Sequence, residues 1–270
     1  PRLRPERFYD LVVQVAIIRP GPARWPRIEA FTLGYARVLR DGVEVTESQW
    51  KRSKSKELFF YLLWHRQWQS EEAIITALWP DVDPERAHSR FHSSLYQLRR
   101  ALYDDCLIRD GSFYRLNPEG EFWCDAVEFL RLCEGARTDR ESTYERALAL
   151  YQGPFLRDYY AEWCEEPRRV LEQHYLRALT HVARYYLDHQ QIDRCIDLLQ
   201  RALAVDEFQD EVHFLLLQAY LAGGQAAAAR AHYRRYQQRR REERLPPPPL
   251  HLQRLYQQIV ASGLDSARRA

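Results

Sequence analysis

Between Arg86 and Tyr103 the sequence holds a run of side chains suited to reading DNA and contains no acid. At about 3.6 residues per turn, Phe91, Leu95, Leu98 and Leu102 share one narrow arc. Arg86, Ser89, Ser93, Tyr96, Gln97 and Arg100 point the opposite way, with Arg90 and His92 on the flanks. Glutamine and arginine can match the donor and acceptor pattern of base edges, and serine and tyrosine can hold bases or phosphates. A merely solvated helix face usually mixes Glu and Lys. This one is acid-free between Asp81, Asp83 and Glu85 on one side and Asp104 and Asp105 on the other, which favours DNA. Two further basic patches accompany it: Lys51, Arg52, Lys54 and Lys56 at the start of an expected helix, and Arg109 and Arg115 on an expected hairpin.

Other chemistries find little support. His88 and His92 are spaced to share a helix face, but the intervening Glu of H-E-x-x-H is missing and no third ligand is evident, so no metal is expected. Five scattered cysteines without C-x-x-C pairing fit a reducing, cytoplasmic setting and neither a disulfide framework nor zinc. There is no P-loop and no G-x-S-x-G, and the 10 glycines form no phosphate cradle. Glu71-Glu72 and Glu165-Glu166 read as helix-end or solvated charges. Neither an enzyme nor a cofactor is expected.

The elements that must position the basic residues can be read in order. Ile28 to Leu33, Tyr35 to Arg40 and Val43 to Val45, with a turn at Asp41-Gly42, predict a small antiparallel sheet. Three helices follow. Ser53 can cap the first, with Leu58, Phe59, Leu62 and Leu63 on one face, and Ser70 the second, whose first turn carries Glu71 and Glu72. Asp83-Pro84-Glu85 opens the third, expected to reach about Tyr103. Leu107 to Leu116 then forms two β runs around an Asp-Gly turn. Sheet, three helices and hairpin is the order of an OmpR/PhoB-type winged helix-turn-helix.

Beyond Asp125 the pattern is almost wholly helical. Tyr186-Leu187 returns as Tyr220-Leu221, Cys195 as Ala229 and Ala202 as Tyr236, each 34 positions on, the tetratricopeptide period. Tyr144 to Tyr151 reads as a divergent earlier unit, and Pro246 to Pro249 separates a closing helix, Leu250 to Val260. The run Arg230, Arg234, Arg235, Arg239, Arg240, Arg241 and Arg244 reads as a solvated outer face, the alternative being contact with DNA or an acidic partner. Tyr185, Tyr186, His189, Phe214 and Tyr220 read mainly as core, with a peptide or domain surface as the alternative. The fold class is mainly α: a winged helix-turn-helix with small antiparallel sheets, then an all-α tetratricopeptide-like repeat domain. The divisions are 1–27, a linker or the end of an upstream domain around Phe8 to Ile18; 28–122, the winged helix; and 123–265, the repeats. A start at Pro1 and the absence of methionine suggest a fragment of a longer protein.

These stretches resemble a known family. Trp50-Lys51-Arg52-Ser53-Lys54-Ser55-Lys56, Ala77-Leu78-Trp79-Pro80-Asp81, Ser94-Leu95-Tyr96-Gln97-Leu98-Arg99-Arg100-Ala101-Leu102, the hairpin Leu107 to Leu116 and Asp125 are similar to the antibiotic-regulatory-protein class of bacterial activators (SARP). Members join a winged helix to a bacterial transcriptional activation domain. The resemblance, from about Ile28 to Val260, implies major-groove entry by the third helix, a wing on the adjacent minor groove or backbone, tandem binding to direct repeats, and recruitment of RNA polymerase. A dimer on DNA stays open. By position it implies base contacts from Ser89, Arg90, His92, Ser93 and Gln97. It implies phosphate contacts from Ser94, Tyr96, Arg99 and Arg100, with Arg109 and Arg115 on the wing. The link Pro80 to Pro84 resembles the loop that can face polymerase. Such proteins often carry a further ATPase or sensor domain. Tyr96 and Gln97 stand where relatives often have Arg or Lys, and Arg244 to Pro249 replaces a usual Leu-Gly-Leu.

A net charge of +2 weighs little, and 46% apolar with 29% charged residues suits two soluble domains. No apolar run is long enough for a membrane span. The competing reading is a helical-repeat scaffold or signalling output module whose winged helix binds protein instead of DNA.

Overall fold

Ile28 and Ala30 turn inward while Glu29 and Phe31 stay half-exposed, which makes β1 (Ile28–Phe31) a strand with one buried face. It pairs antiparallel with β2 (Arg37–Arg40), Ile28 opposite Arg40. Asp41 and Gly42, at φ 51° and 77°, then turn the chain into β3 (Val43–Glu44). Two successive positive φ values are what a type I′ hairpin turn needs, and Asp-Gly supplies them at low strain. The protein is described by a computed structural model covering residues 25–51, 53–135 and 140–269. The linker or domain end expected around Phe8 to Ile18 lies outside those residues.

Three short elements of the winged helix were not read from sequence, the strand Gln69–Ser70 among them. A short helix α1 (Glu47–Trp50) precedes the expected three, with Gln49 accepting from the Thr46 backbone N–H at 2.8 Å and Trp50 fully buried. Strand β7 (Phe122–Cys124) joins the first sheet parallel to β1, giving the order β3-β2-β1-β7, so that sheet is mixed. Three residues are too few to show a period.

The expected helices are α2 (Ser53–His65), α3 (Glu71–Leu78) and α4 (Pro84–Ala101). The hairpin is β5 (Leu107–Asp110) with β6 (Phe113–Leu116), and β4 (Gln69–Ser70) completes a second sheet in the order β4-β6-β5. Asp110 pairs with Phe113, so the loop residues are Gly111-Ser112, with Gly111 at φ 56°.

Over the described residues the chain forms two compact units. Of these residues, one unit takes those from 25 to 135 with 149–171, the other 140–148 with 172–269. The first unit thus keeps α5 (Asp125–Gly135) and the segment around Phe155. The cause is α2, buried all the way from Leu58 to Trp64. A helix apolar on all sides needs partners on all sides. Phe60 meets Tyr159, Tyr61 meets Trp163 and Trp64 meets Phe155, with ring centroids 5.7, 5.4 and 5.2 Å apart. Asp125 joins β1 to α5, its carboxylate accepting from the backbone of Thr32 and Leu33 at 2.7 and 3.0 Å.

In the second unit α6 (Arg140–Leu150) brings Tyr144 against His181, and Tyr186 donates to Glu145. The helices α7 (Glu165–Asp188), α8 (Ile192–Val205), α9 (Asp210–Ala222) and α10 (Ala226–Glu242) carry the repeat, and α11 (Leu250–Arg269) closes it, running past the expected Val260. Cys195 and Ala229, 34 apart, are both fully buried. The turns repeat as well. Gln190 (φ 57°) ends α7 and Gly224 (φ 69°) ends α9, and in each the next N–H reaches back to a tyrosine carbonyl, Tyr186 at 2.8 Å and Tyr220 at 2.7 Å. Arg244 (φ 56°) closes α10 in the same left-handed way, so the altered segment before the prolines keeps the helix-ending geometry.

Arg240 departs from the solvated-face reading. It is buried, with Nη1 2.8 Å from Asp210 Oδ1 and Nε donating to the Pro246 carbonyl at 2.7 Å. Arg239 is exposed and pairs with Glu207 and Glu242.

Candidate nucleic-acid interface

Asp83 starts α4 by accepting from the backbone N–H groups of Glu85 and Arg86 at 3.1 and 3.4 Å, and Pro84 presets the first turn. Phe91 anchors the buried face, edge-on to Trp79 and Tyr114 with centroids 6.4 and 5.1 Å away. Ala87, Leu95, Leu98 and Ala101 complete that face. Arg40 of β2 donates to the carbonyls of Ala101 and Leu102 at 3.3 and 3.0 Å, where the helix dipole favours a cation. The helix is therefore held at both ends, which fixes what its other face presents.

Arg86, Ser89, Arg90, Tyr96 and Arg100 are exposed, and Ser93, Gln97 and Arg99 are half-buried. Ser94 is a correction. At 1% exposure it belongs to the buried face, one residue before Leu95, and is out of reach of a phosphate. At the C-terminal end Arg40, Arg99, Arg100 and Tyr103 line one cavity. Arg40 was missed in the sequence because it lies in a strand 59 positions before Arg99.

A second correction concerns charge. The acid-free face is met by a carboxylate from outside the helix: Glu71 Oε1 lies 2.8 Å from His88 Nδ1 and 3.2 Å from His92 Nε2. Glu71 begins α3, its N–H donates to the Ser112 carbonyl at 2.8 Å, and the Tyr114 hydroxyl donates to its Oε2 at 3.4 Å. A third metal-type ligand beside the histidine pair therefore exists, and His92 is engaged within this cluster. Sequence spacing along one helix cannot show a partner delivered by another.

The supporting patches are uneven. Lys51 is exposed and Arg52 lies outside the described residues. Lys54 Nζ pairs with Glu57 at 2.8 Å, and Lys56 is buried, bound to Glu47 and to the Ala36 carbonyl at 2.7 and 3.2 Å. Lys56 is thus structural, withdrawn from the expected basic patch. On the wing, Arg109 is exposed and its Nε donates to the Gly111 carbonyl at 2.6 Å. Arg115 is stacked 4.5 Å from the Trp68 ring centroid and half-buried, away from the tip.

All five cysteines are free and buried. Burial pushes the Cys106, Cys133 and Cys164 thiols up to about 12, far from the reactive thiolate range. No helix among the described residues is long and apolar enough to cross a membrane.

A winged helix followed by helical hairpins of 34-residue period is the domain order that the resemblance to SARP-type regulators implies. The chain belongs to the bacterial transcriptional activator domain family, whose model matches residues 124–260, just over half of it. It is similar in fold to Mycobacterium tuberculosis EmbR in complex with a low affinity phosphopeptide, with a TM-score of 0.71 and 21% identity. That likeness covers 88% of this chain and 66% of EmbR. Short stretches are also similar to error-prone DNA polymerases. The Aromatoleum aromaticum enzyme is 56% identical over 41 residues, 15% of this chain and 4% of the polymerase. The Hahella chejuensis enzyme is 86% identical over 22 residues, 8% of this chain and 2% of the polymerase. The chain therefore spans only a few per cent of the curated relatives it matches, and no polymerase activity follows for it.

Proposed function

We propose that this regulator binds double-stranded DNA sequence-specifically, with α4 in the major groove and the hairpin β5–β6 against the adjacent backbone. The observation that carries the reading is the outward face of α4. It presents Arg86, Ser89, Arg90, Ser93, Tyr96, Gln97 and Arg100 while Phe91, Leu95 and Leu98 hold the opposite face in the core. Arg90, Ser89, Ser93 and Gln97 serve as the base-reading set. Lys51, Tyr96, Arg99, Arg100 and Arg109 serve as the phosphate set. Ser94 has no place in it, and Arg115 supports the wing from Trp68. On promoter direct repeats the bound protein acts as an activator, recruiting RNA polymerase through the Pro80–Pro84 link, with the repeat unit making protein contacts. The setting is the cytoplasm.

Selection on random genomic fragments, followed by footprinting of the selected site, tests this. Affinity should fall steeply with salt as phosphate counterions are released. Gln97→Ala combined with Arg100→Ala should remove the footprint while circular dichroism stays that of the parent. An unchanged footprint in the double variant would refute the assignment of α4. Capture of a protein partner with no salt-dependent DNA shift would favour the scaffold reading.

A further inference from the structure

We propose that Glu71, His88 and His92 form a binding site for one divalent transition-metal ion of the zinc class. One ligand atom from each residue lies within 4.8 Å of the others. Both imidazoles converge on the same carboxylate oxygen, at 2.8 and 3.2 Å. Around a tetrahedral ion with bonds of about 2.0–2.2 Å, neighbouring donor atoms stand about 3.3–3.6 Å apart. To admit the ion, the His88 contact at 2.8 Å has to open by about 0.5–0.8 Å and the His92 contact at 3.2 Å by about 0.1–0.4 Å.

The donor set selects the class. Two imidazoles and one carboxylate suit zinc, cobalt, nickel or copper, and poorly suit magnesium or calcium, which demand oxygen. Rigidity comes from both sides of the cluster. His88 and His92 sit one turn apart on α4, itself anchored by Phe91 between them. Glu71 is held by the wing at two atoms, through the Ser112 carbonyl at 2.8 Å and the Tyr114 hydroxyl at 3.4 Å. Such outer partners orient a ligating carboxylate and sharpen its affinity. His88 and His92 remain half-exposed, which leaves an entry path and room for a water as fourth ligand. Three protein ligands with one open position is a recurrent zinc arrangement.

The consequence is mechanical. An ion here ties the middle of α4 to the start of α3, which is itself bonded to the wing turn. It also withdraws His92 from any base contact. The site stands on its own geometry and does not depend on DNA binding.

The test uses the full chain without an affinity tag and without DNA. Zn2+ uptake is measured by competition with a chromophoric chelator, and Co2+ uptake by its visible ligand-field absorption. One ion per chain is expected. His88→Ala, His92→Ala and Glu71→Gln should each weaken uptake at least about tenfold. His251→Ala, at an exposed histidine outside the cluster, should change nothing. Both histidines are surface residues, so their variants keep the fold, and near-UV circular dichroism verifies it. Absence of stoichiometric uptake, or uptake that survives any of the three cluster substitutions, overturns the proposal.

Discussion

Asp125, the first residue of α5, holds Thr32 at the exit of β1 by two hydrogen bonds to one oxygen, from the Thr32 backbone N–H and from its hydroxyl, both at 2.7 Å. The other carboxylate oxygen accepts from Leu33 N–H at 3.0 Å, and the whole group is 3% exposed. This one side chain fixes the strand end to the helix that begins the matched family region.

Replacing Asp125 should therefore be costly. Asp125→Ala strands several buried donors and should lower unfolding free energy by about 2–4 kcal/mol in urea titrations. Asp125→Asn keeps one acceptor and should cost less. Burial pushes the Asp125 carboxyl up from its ordinary value, against the hydrogen bonds from Thr32 and Leu33. A carboxyl raised in the folded state stabilises fully below its unfolded value and loses that contribution as pH rises through the folded one. The deficit of Asp125→Asn against the parent should thus be larger at acid pH than at pH 7. A deficit that grows towards neutrality would contradict the assignment.

The arginine run on α10 should separate into one structural member and several dispensable ones. Arg240 is bonded to Asp210 and the Pro246 carbonyl and lies 5.4 Å from the Tyr236 ring centroid. Arg240→Ala should cost about 2–3 kcal/mol, partly offset because Asp210 can rehydrate. Arg241→Ala, at an exposed position, should stay within about 0.5 kcal/mol. Equal melting temperatures for the two variants would return Arg240 to the solvated face.

Gln190 and Gly224 occupy equivalent left-handed turn positions, but only one is glycine. A side chain at positive φ costs about 1 kcal/mol, so Gln190→Gly should stabilise by about 0.5–1 kcal/mol. Gly224→Gln should destabilise by a similar amount, since a Cβ there meets nothing within 4 Å and the effect is purely backbone. Thermal unfolding of the two single variants reads both signs.

The second unit should weaken on acidification. His213 Nδ1 and His232 Nε2 are 2.8 Å apart, and burial lowers both, His232 to about 4. A histidine depressed in the folded state stabilises fully above its unfolded value near 6.5 and loses that contribution as pH falls towards the folded one. His232 alone can account for up to about 3 kcal/mol of loss between those limits. His232→Gln should flatten the stability profile over that range by about one proton. Because burial also lowers His213, part of the slope will remain.

By itself the sequence determined the order of the longer elements, because their signals are local. Asp41-Gly42 demands a hairpin turn, Asp83-Pro84 starts α4, and the apolar residues from Phe91 to Leu98 repeat at helical spacing. The 34-residue period matches the spacing of α8 and α10, which begin at Ile192 and Ala226, since each hairpin solves the same packing problem. Tertiary structure alone decided the contacts made across the chain. It delivered Glu71 to the histidines of α4, took Lys56 and Ser94 into the interior, and paired β7 with β1. It also kept Phe155, Tyr159 and Trp163 on α2 in the first compact unit. The sequence placed Leu58, Phe59, Leu62 and Leu63 on one buried face of α2, whereas packing buries the whole run to Trp64, against partners some 90 or more positions away. A helical period says which face is buried; only packing says what meets it.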